Sequence, residues 1–146
     1  SNPLLARAFH WYWRRRRGHV VEGINVAYSK AIAEAVNAID PSVKVLCTGG
    51  FQHADAIAGA IRDGACDGVA IGRPLIANND LAQILAHANG PAPGKACTYC
   101  NKCLINDLEN PLGCYELSRY DGDTFDEKYD RMMAEVMSVF SPPTFH

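Results

Sequence analysis

The sequence has no apolar run that approaches the roughly 20 residues of a membrane-spanning helix, so we expect no membrane span. Residues 1–4 lack the basic and then apolar order of a signal peptide, and we expect no such peptide. A strong net charge is also missing, because the formal charge is only −2. This balance gives no reason to expect nucleic acid or an anionic membrane surface as a partner. One basic run at residues 14–17 is a short, weak motif, and we interpret it as a solvated loop.

The cysteine pattern gives little support for disulfide bonds. Four of the six cysteines fall between positions 97 and 114, while Cys47 and Cys66 each lie in a short apolar segment. A secreted disulfide scaffold would be shorter and denser in cysteine. We therefore predict that the protein works in a reducing cytoplasm.

Local patterns predict an α/β chain with parallel strands. Apolar residues at helical spacing predict a first helix over 26–39 and a last helix over 125–140. Two short apolar strands at 43–47 and 68–71 each run into a glycine turn that precedes a helix. These two intervening helices are predicted at 53–62 and 80–87.

The composition changes after residue 90, which suggests a boundary. Residues 91–94 (PAPG) have the composition of a linker, and the cysteine-rich segment and an acidic stretch follow it. We therefore divide the chain into a strand-and-helix part at 1–90 and a cysteine-rich part with a helical tail at 91–146.

Glycines end both predicted strands. Thr48 is followed by Gly49 and Gly50, and the second strand ends in Gly72 and Arg73. Glycine lets backbone N–H groups approach a ligand, and a guanidinium binds phosphate oxygens in a bidentate way. Two such turns on consecutive strands match the phosphate site of many (β/α)8 barrels. The pair therefore predicts phosphate binding.

The cysteines predict a site for a soft metal. Two residues separate Cys97 from Cys100, and two more separate Cys100 from Cys103, in the run CTYCNKC. Cys114 follows after a short loop. Four thiolates directed at one centre suit either tetrahedral zinc or an iron–sulfur cluster. The spacing alone leaves both possibilities open.

Two segments resemble a known enzyme family. Residues 43–51 (VKVLCTGGF) and 63–78 (DGACDGVAIGRPLIAN) are similar to the end of the barrel in the NADH:flavin oxidoreductases. That family includes old yellow enzyme, 2,4-dienoyl-CoA reductase and trimethylamine dehydrogenase. The resemblance implies the last βα units of a (β/α)8 TIM barrel, an incomplete barrel, followed by a cysteine-rich loop and a C-terminal helix. The remaining N-terminal half of the barrel would then be a partner.

The resemblance also implies an activity, that of an FMN-dependent NAD(P)H oxidoreductase of the ene-reductase or dienoyl-CoA reductase type. NAD(P)H would be the co-substrate, and an enone or enoyl-type compound would be the acceptor. The FMN-binding residues would be Gly49, Gly50, Phe51, Gly72 and Arg73. A [4Fe–4S] cluster would be held by Cys97, Cys100, Cys103 and Cys114. The family's catalytic residues lie in earlier strands, so we name none and expect this chain alone to be inactive.

An alternative of a different class remains open. A small structural or interaction module without enzymatic activity would hold zinc on the same four cysteines. Such a module would ignore flavin and would unfold on chelation. The sequence does not distinguish the two metals, and it leaves open whether the protein forms a homo-oligomer.

Overall fold

The computed structural model describes residues 21–106 and 110–139, together with Arg7, Trp11 and Tyr12. The basic run at 14–17 and the predicted helix end at Phe140 lie outside the described residues. The elements in chain order are α1 (Val26–Ile39), β1 (Leu46–Thr48), α2 (Ala54–Arg62), β2 (Gly68–Ala70), α3 (Arg73–Ala77), α4 (Leu81–His87), α5 (Lys102–Asn106), a 3-10 helix (Leu117–Arg119) and α6 (Phe125–Val139).

Helix α1 lies against the start of the sheet with a narrow face of small residues. Ser29 and Ala33 are its buried residues, and the Ser29 hydroxyl donates to the Ala65 carbonyl at 2.8 Å. Asn25 precedes the helix without a side-chain cap bond, and its side-chain amide N–H donates to the Thr48 carbonyl at 2.5 Å. The beginning of α1 is therefore fixed to the end of β1.

The two strands pair in parallel and form a small sheet. Leu46 is in register with Gly68, and Thr48 with Ala70. The Asp67 side chain extends the pairing by accepting the Val45 N–H at 2.9 Å, while the Asp67 N–H donates to the Val45 carbonyl at 2.8 Å. These bonds fix the register at the entry to both strands.

The prediction that the fold consists of the last βα units of a (β/α)8 barrel is wrong. Over the described residues the sheet has two strands of three residues each, and about half of the chain is helical. Barrel strands are covered on both faces. In β1 only Cys47 is buried, and the Leu46 side chain is 64% exposed. The chain therefore gains its stability from helices packed into local cores.

Two separate clusters of buried residues make the interior. The first lies between the sheet and α2, and its fully buried residues are Cys47, Phe51, Ala60 and Cys66. The second lies between α6 and the segment before it, and comprises Tyr115, Tyr120, Met132 and Val136. None of the helices in the described part is both long and apolar enough to cross a lipid bilayer.

Arg119 connects the tail segment to α3. It is 5% exposed, its Nε donates to the Lys95 carbonyl at 2.9 Å, and its Nη2 donates to the Ala77 carbonyl and to Asn78 Oδ1. Lys95 Nζ in turn donates to the Arg119 carbonyl at 2.7 Å. This network holds the 3-10 helix against the end of α3, and it brings the second part of the chain onto the first.

Candidate functional site

The cysteine loop is built around two residues with left-handed backbone. Tyr99 has a φ of 54° and Asn101 a φ of 62°, a region that residues other than glycine adopt at a cost. Each lies between two cysteines of the run CTYCNKC, so the chain turns sharply after Cys97 and again after Cys100. The Tyr99 N–H donates to the Cys97 sulfur at 3.4 Å. The loop therefore turns its backbone N–H groups toward its own sulfur atoms.

Burial and mutual repulsion act together on the thiols. Burial is the main cause that raises the pKa of Cys97, Cys100 and Cys103, and backbone N–H groups that donate to each sulfur oppose it. Cys97 interacts electrostatically with Cys114 and Cys100, and Cys103 with the same two residues. All four cysteines of the predicted ligand set thus belong to one interacting group.

The donor chemistry of this group fits a soft metal, although the thiols do not yet form a closed site. All six cysteines are free. Among the described residues, no three His, Cys, Asp or Glu side chains are arranged to hold a metal ion. Four thiols with N–H···S bonds are nevertheless the ligand set that zinc and iron–sulfur clusters select. Metal binding would require the loop to draw the four sulfur atoms together.

A buried carboxylate lies against the loop and was missed in the sequence. Glu116 is 9% exposed, forms an ion pair with Lys102 at 3.1 Å and accepts from the Ser118 hydroxyl at 3.0 Å. Burial raises its pKa, but the bonds from Lys102 and Ser118 outweigh burial and leave the pKa below its usual value. Its carboxylate also bonds to the Cys100 thiol. No local pattern marks this residue, because its partners are brought to it by the fold.

The glutamine at position 52 attaches the cysteine loop to the turn after β1. Its Oε1 accepts the Cys97 N–H at 2.9 Å, and its Nε2 donates to the Cys97 carbonyl at 3.3 Å. Gln52 itself is 5% exposed. Both backbone groups of Cys97 are therefore satisfied by a single buried side chain.

Two further contacts join the loop to both glycine turns. The Tyr99 hydroxyl donates to the Gly50 carbonyl, and the Arg73 guanidinium donates to Asn101 Oδ1. The same guanidinium lies 5.4 Å from the centre of the Tyr99 ring, within range of a cation–π interaction. The structure thus brings together Gly50, Arg73 and the cysteine loop, three features that the sequence singled out separately.

The first glycine turn is packed by the chain itself. Gly50 has a φ of +67°, and a Cβ there would lie 3.1 Å from the Tyr99 ring and 3.2 Å from Val21. Gly49 accepts the Gly23 N–H at 2.7 Å and packs on the same segment. Phe51 is completely buried in the first core. These three residues are therefore explained by close packing within the protein.

A carboxylate occupies the start of α2. Glu22 Oε1 accepts the N–H groups of Gln52 at 2.6 Å and His53 at 2.8 Å, and Glu22 Oε2 lies 2.6 Å from His53 Nδ1. Helix starts attract anions, and here the chain supplies the anion. A phosphate at this position would be repelled by the negative charge of the Glu22 carboxylate.

The second glycine turn is open. A Cβ at Gly72 would meet no atom within 4 Å, and Arg73 follows at the first position of α3. The five predicted FMN-binding residues therefore divide into two groups. The residues that fit a phosphate group are Gly72 and Arg73, whereas the surroundings of Gly49, Gly50 and Phe51 are filled.

Comparison of the chain with family models, with curated proteins and with solved structures finds no match. The resemblance to the NADH:flavin oxidoreductases therefore stays a prediction. A functional conclusion has to be drawn from the contacts of the cysteine loop and the two turns.

Proposed function

We propose that this chain carries the iron–sulfur site of an FMN-dependent NAD(P)H oxidoreductase. Its ligands would be Cys97, Cys100, Cys103 and Cys114. The observation that carries the proposal is the contact between the cysteine loop and the two glycine turns. Gln52, Tyr99 and Arg73 make that contact through hydrogen bonds. Electron transfer between a cluster and a flavin requires the two groups to lie close together, and contacts of this kind would bring the two sites next to each other.

In this proposal the second turn holds the FMN phosphate. Gly72 offers a backbone with free space above its Cα, and Arg73 offers the positive charge. Glu22 keeps the phosphate away from the start of α2, because its carboxylate already accepts the N–H groups there. Arg73 would exchange its bond with Asn101 for bonds to phosphate oxygens.

Groups of the cysteine loop offset part of the cost of negative charge at its buried sulfur atoms. A [4Fe–4S] cluster, when bound, exchanges single electrons with a nearby flavin. The N–H groups that donate to Cys97, Cys100 and Cys103 disperse the charge of the thiolates. Arg73 acts in the same direction on Cys97 and Cys103. NAD(P)H would supply the electrons and an enone or enoyl-type compound would accept them, in a reducing cytoplasm that suits free thiols.

Metal content and colour test the proposal directly. Protein reconstituted anaerobically with iron and sulfide should be brown and contain about four iron and four sulfide per chain. Cys100→Ala should lose most of the iron. Cys66→Ala, which removes a buried thiol outside the loop, should retain it. Zinc without iron in protein prepared under the same conditions would contradict the iron–sulfur assignment.

Flavin binding is a separate measurement. Quenching of FMN fluorescence should report binding to the chain, and Arg73→Ala should weaken it. Arg62→Ala is a matched control, because Arg62 is exposed at the end of α2 and forms its ion pair with Asp63. Equal FMN affinity in the two variants would contradict the phosphate assignment and leave the metal assignment untouched.

A structural zinc site is the second candidate, and the N–H···S bonds of the loop favour it equally. Zinc would draw the four thiols into a closed tetrahedral site that stabilises the fold. One zinc per chain, together with unfolding of the segment after residue 96 on chelation, would support this candidate. Insensitivity to FMN would support it further.

A further inference from the structure

A cavity of about 220 Å³ lies between α3, the loop before Cys114 and α6. Most of the surface that the described residues contribute to it is apolar. Their apolar side chains there are Leu75, Ile76, Leu112 and Val136, and Asn79 and Glu135 line it with polar side chains, together with Gly113 and Cys114. It is separate from the two glycine turns, whose residues do not line it.

The size of the cavity limits the ligand. A dry apolar cavity of about 150 Å³ is known to hold benzene. By the same proportion, a cavity of about 220 Å³ holds about nine non-hydrogen atoms. Two of its apolar lining residues, Leu75 and Leu112, are 39% and 42% exposed, and the cavity is open to solvent. A ligand there would remove apolar surface from water, which is the main source of affinity in such sites.

The polar side chains that line the cavity indicate which polar group a ligand would carry. The Tyr120 hydroxyl lies 3.1 Å from the Cys114 carbonyl oxygen and 3.3 Å from Glu135 Oε1, and its one proton is donated to only one of them at a time. Acceptor capacity is therefore left on the Glu135 carboxylate. Within the described parts of the chain, no Lys, Arg or His forms an ion pair with Glu135. Asn79 adds a side-chain amide at the same cavity. Arg131 lies one turn earlier on α6 and is exposed, and it leaves Glu135 without an ion pair. A carboxylate that is not paired with a cation is available to a ligand that brings a positive charge.

We propose that this cavity is a binding site for a small apolar ligand that ends in an ammonium group. The apolar part, of ring or short-chain type, would pack on Leu75, Leu112 and Val136, and the ammonium would bind Glu135. The proposal does not rest on the metal or on FMN, because Leu75, Leu112, Val136 and Glu135 belong to neither predicted site. Cys114, a predicted metal ligand, also lines the cavity, so metal binding would change one of its walls.

Three probes of similar size and different charge test this proposal. Isothermal titration calorimetry of the full chain at pH 7 would use 2-phenylethylamine, 2-phenylethanol and phenylacetate. We expect one saturable site for the amine and an affinity about fivefold higher than for the alcohol, the range of a partly exposed ion pair. The carboxylate should bind more weakly than the alcohol.

Two variants assign the binding to the cavity. Glu135→Gln keeps an acceptor for Tyr120 and should remove the preference for the amine over the alcohol, while Glu34→Gln on the exposed face of α1 should keep it. Leu75→Trp should fill the entrance and weaken all three probes. Absence of saturable heat with the wild-type chain, equal affinity for amine and carboxylate, or an unchanged preference in Glu135→Gln would each overturn the proposal.

Discussion

We expect the buried side chain of Gln52 to be the main group that holds the cysteine loop in place. Its side-chain amide forms both hydrogen bonds to the backbone of Cys97, at 2.9 Å and 3.3 Å, and is 5% exposed. Gln52→Ala removes both partners at once. The Cys97 N–H and carbonyl then lose their bonds in a place that water reaches only if the loop opens.

The expected loss in the free energy of unfolding follows from these two hydrogen bonds. A typical intramolecular hydrogen bond contributes about 1 kcal/mol net, and a buried group left without a partner costs about 1–3 kcal/mol. Since opening of the loop relieves part of the second cost, we expect Gln52→Ala to lower the free energy of unfolding by about 2–3 kcal/mol. That is a large share of the total stability of a domain of this size.

Urea denaturation followed by far-ultraviolet circular dichroism measures this loss. Gln83→Ala is the matched control, because Gln83 is exposed on α4, and its effect should stay within about 0.5 kcal/mol. A second readout is the rate at which iodoacetamide alkylates Cys97, which should rise in Gln52→Ala and not in Gln83→Ala. If the two variants unfold at the same urea concentration and react at the same rate, the loop is not held by Gln52.

Two further predictions concern the packing of α6 and the entry to the sheet. Gly113→Ala should destabilise the protein by about 1–3 kcal/mol, because the new Cβ would lie 2.6 Å from a Val136 methyl carbon. Gly59→Ala, whose Cβ would find only an arginine side-chain atom at 3.8 Å within α2, should stabilise it by about 0.5–1 kcal/mol. Asp67→Asn should flatten the loss of stability in acid. The Val45 N–H and Lys44 hold the pKa of Asp67 below its usual value, so its contribution is present above the unfolded pKa of about 3.9 and disappears as the pH falls through the folded pKa.

The two predictions have distinct checks. The glycine pair is compared by urea midpoints. A loss of stability in Gly59→Ala, or no loss in Gly113→Ala, would contradict the packing that these predictions rest on. For Asp67, urea midpoints are measured between about pH 6 and pH 3, with Asp130→Asn as an exposed control on α6. An equally steep fall in the Asp67→Asn and wild-type proteins would refute the role of its carboxylate.

Local periodicity predicted the longer helices well. The first helix was predicted over 26–39 and lies at Val26–Ile39, and the last begins at Phe125 as predicted. The 3.6-residue spacing of apolar side chains is a property of the segment itself, so it identifies a helix without knowledge of the rest of the fold. Helix α3 was missed, although Pro74 in its first turn is a known signal for a helix start.

The contacts that define the candidate site were not predictable in the same way. Glu22 and His53 are 31 residues apart, and Gln52 and Cys97 are 45 residues apart. Neither pair leaves a periodic pattern, since each depends on how distant segments meet. The barrel was predicted wrongly for a related reason. Short apolar segments with glycine turns indicate strands, but they do not determine how many strands pair.

The glycines of the first turn have a different role in the structure from the one predicted from the sequence. The sequence predicts that glycine at the end of the strand leaves room for a ligand, yet Tyr99 from the cysteine loop fills the space at Gly50. Arg73, predicted to bind phosphate, contacts the same loop through Asn101. Any movement that draws the four thiols toward a metal must therefore move groups that contact both turns. It follows that metal binding and phosphate binding at Gly72 would influence each other even without direct contact.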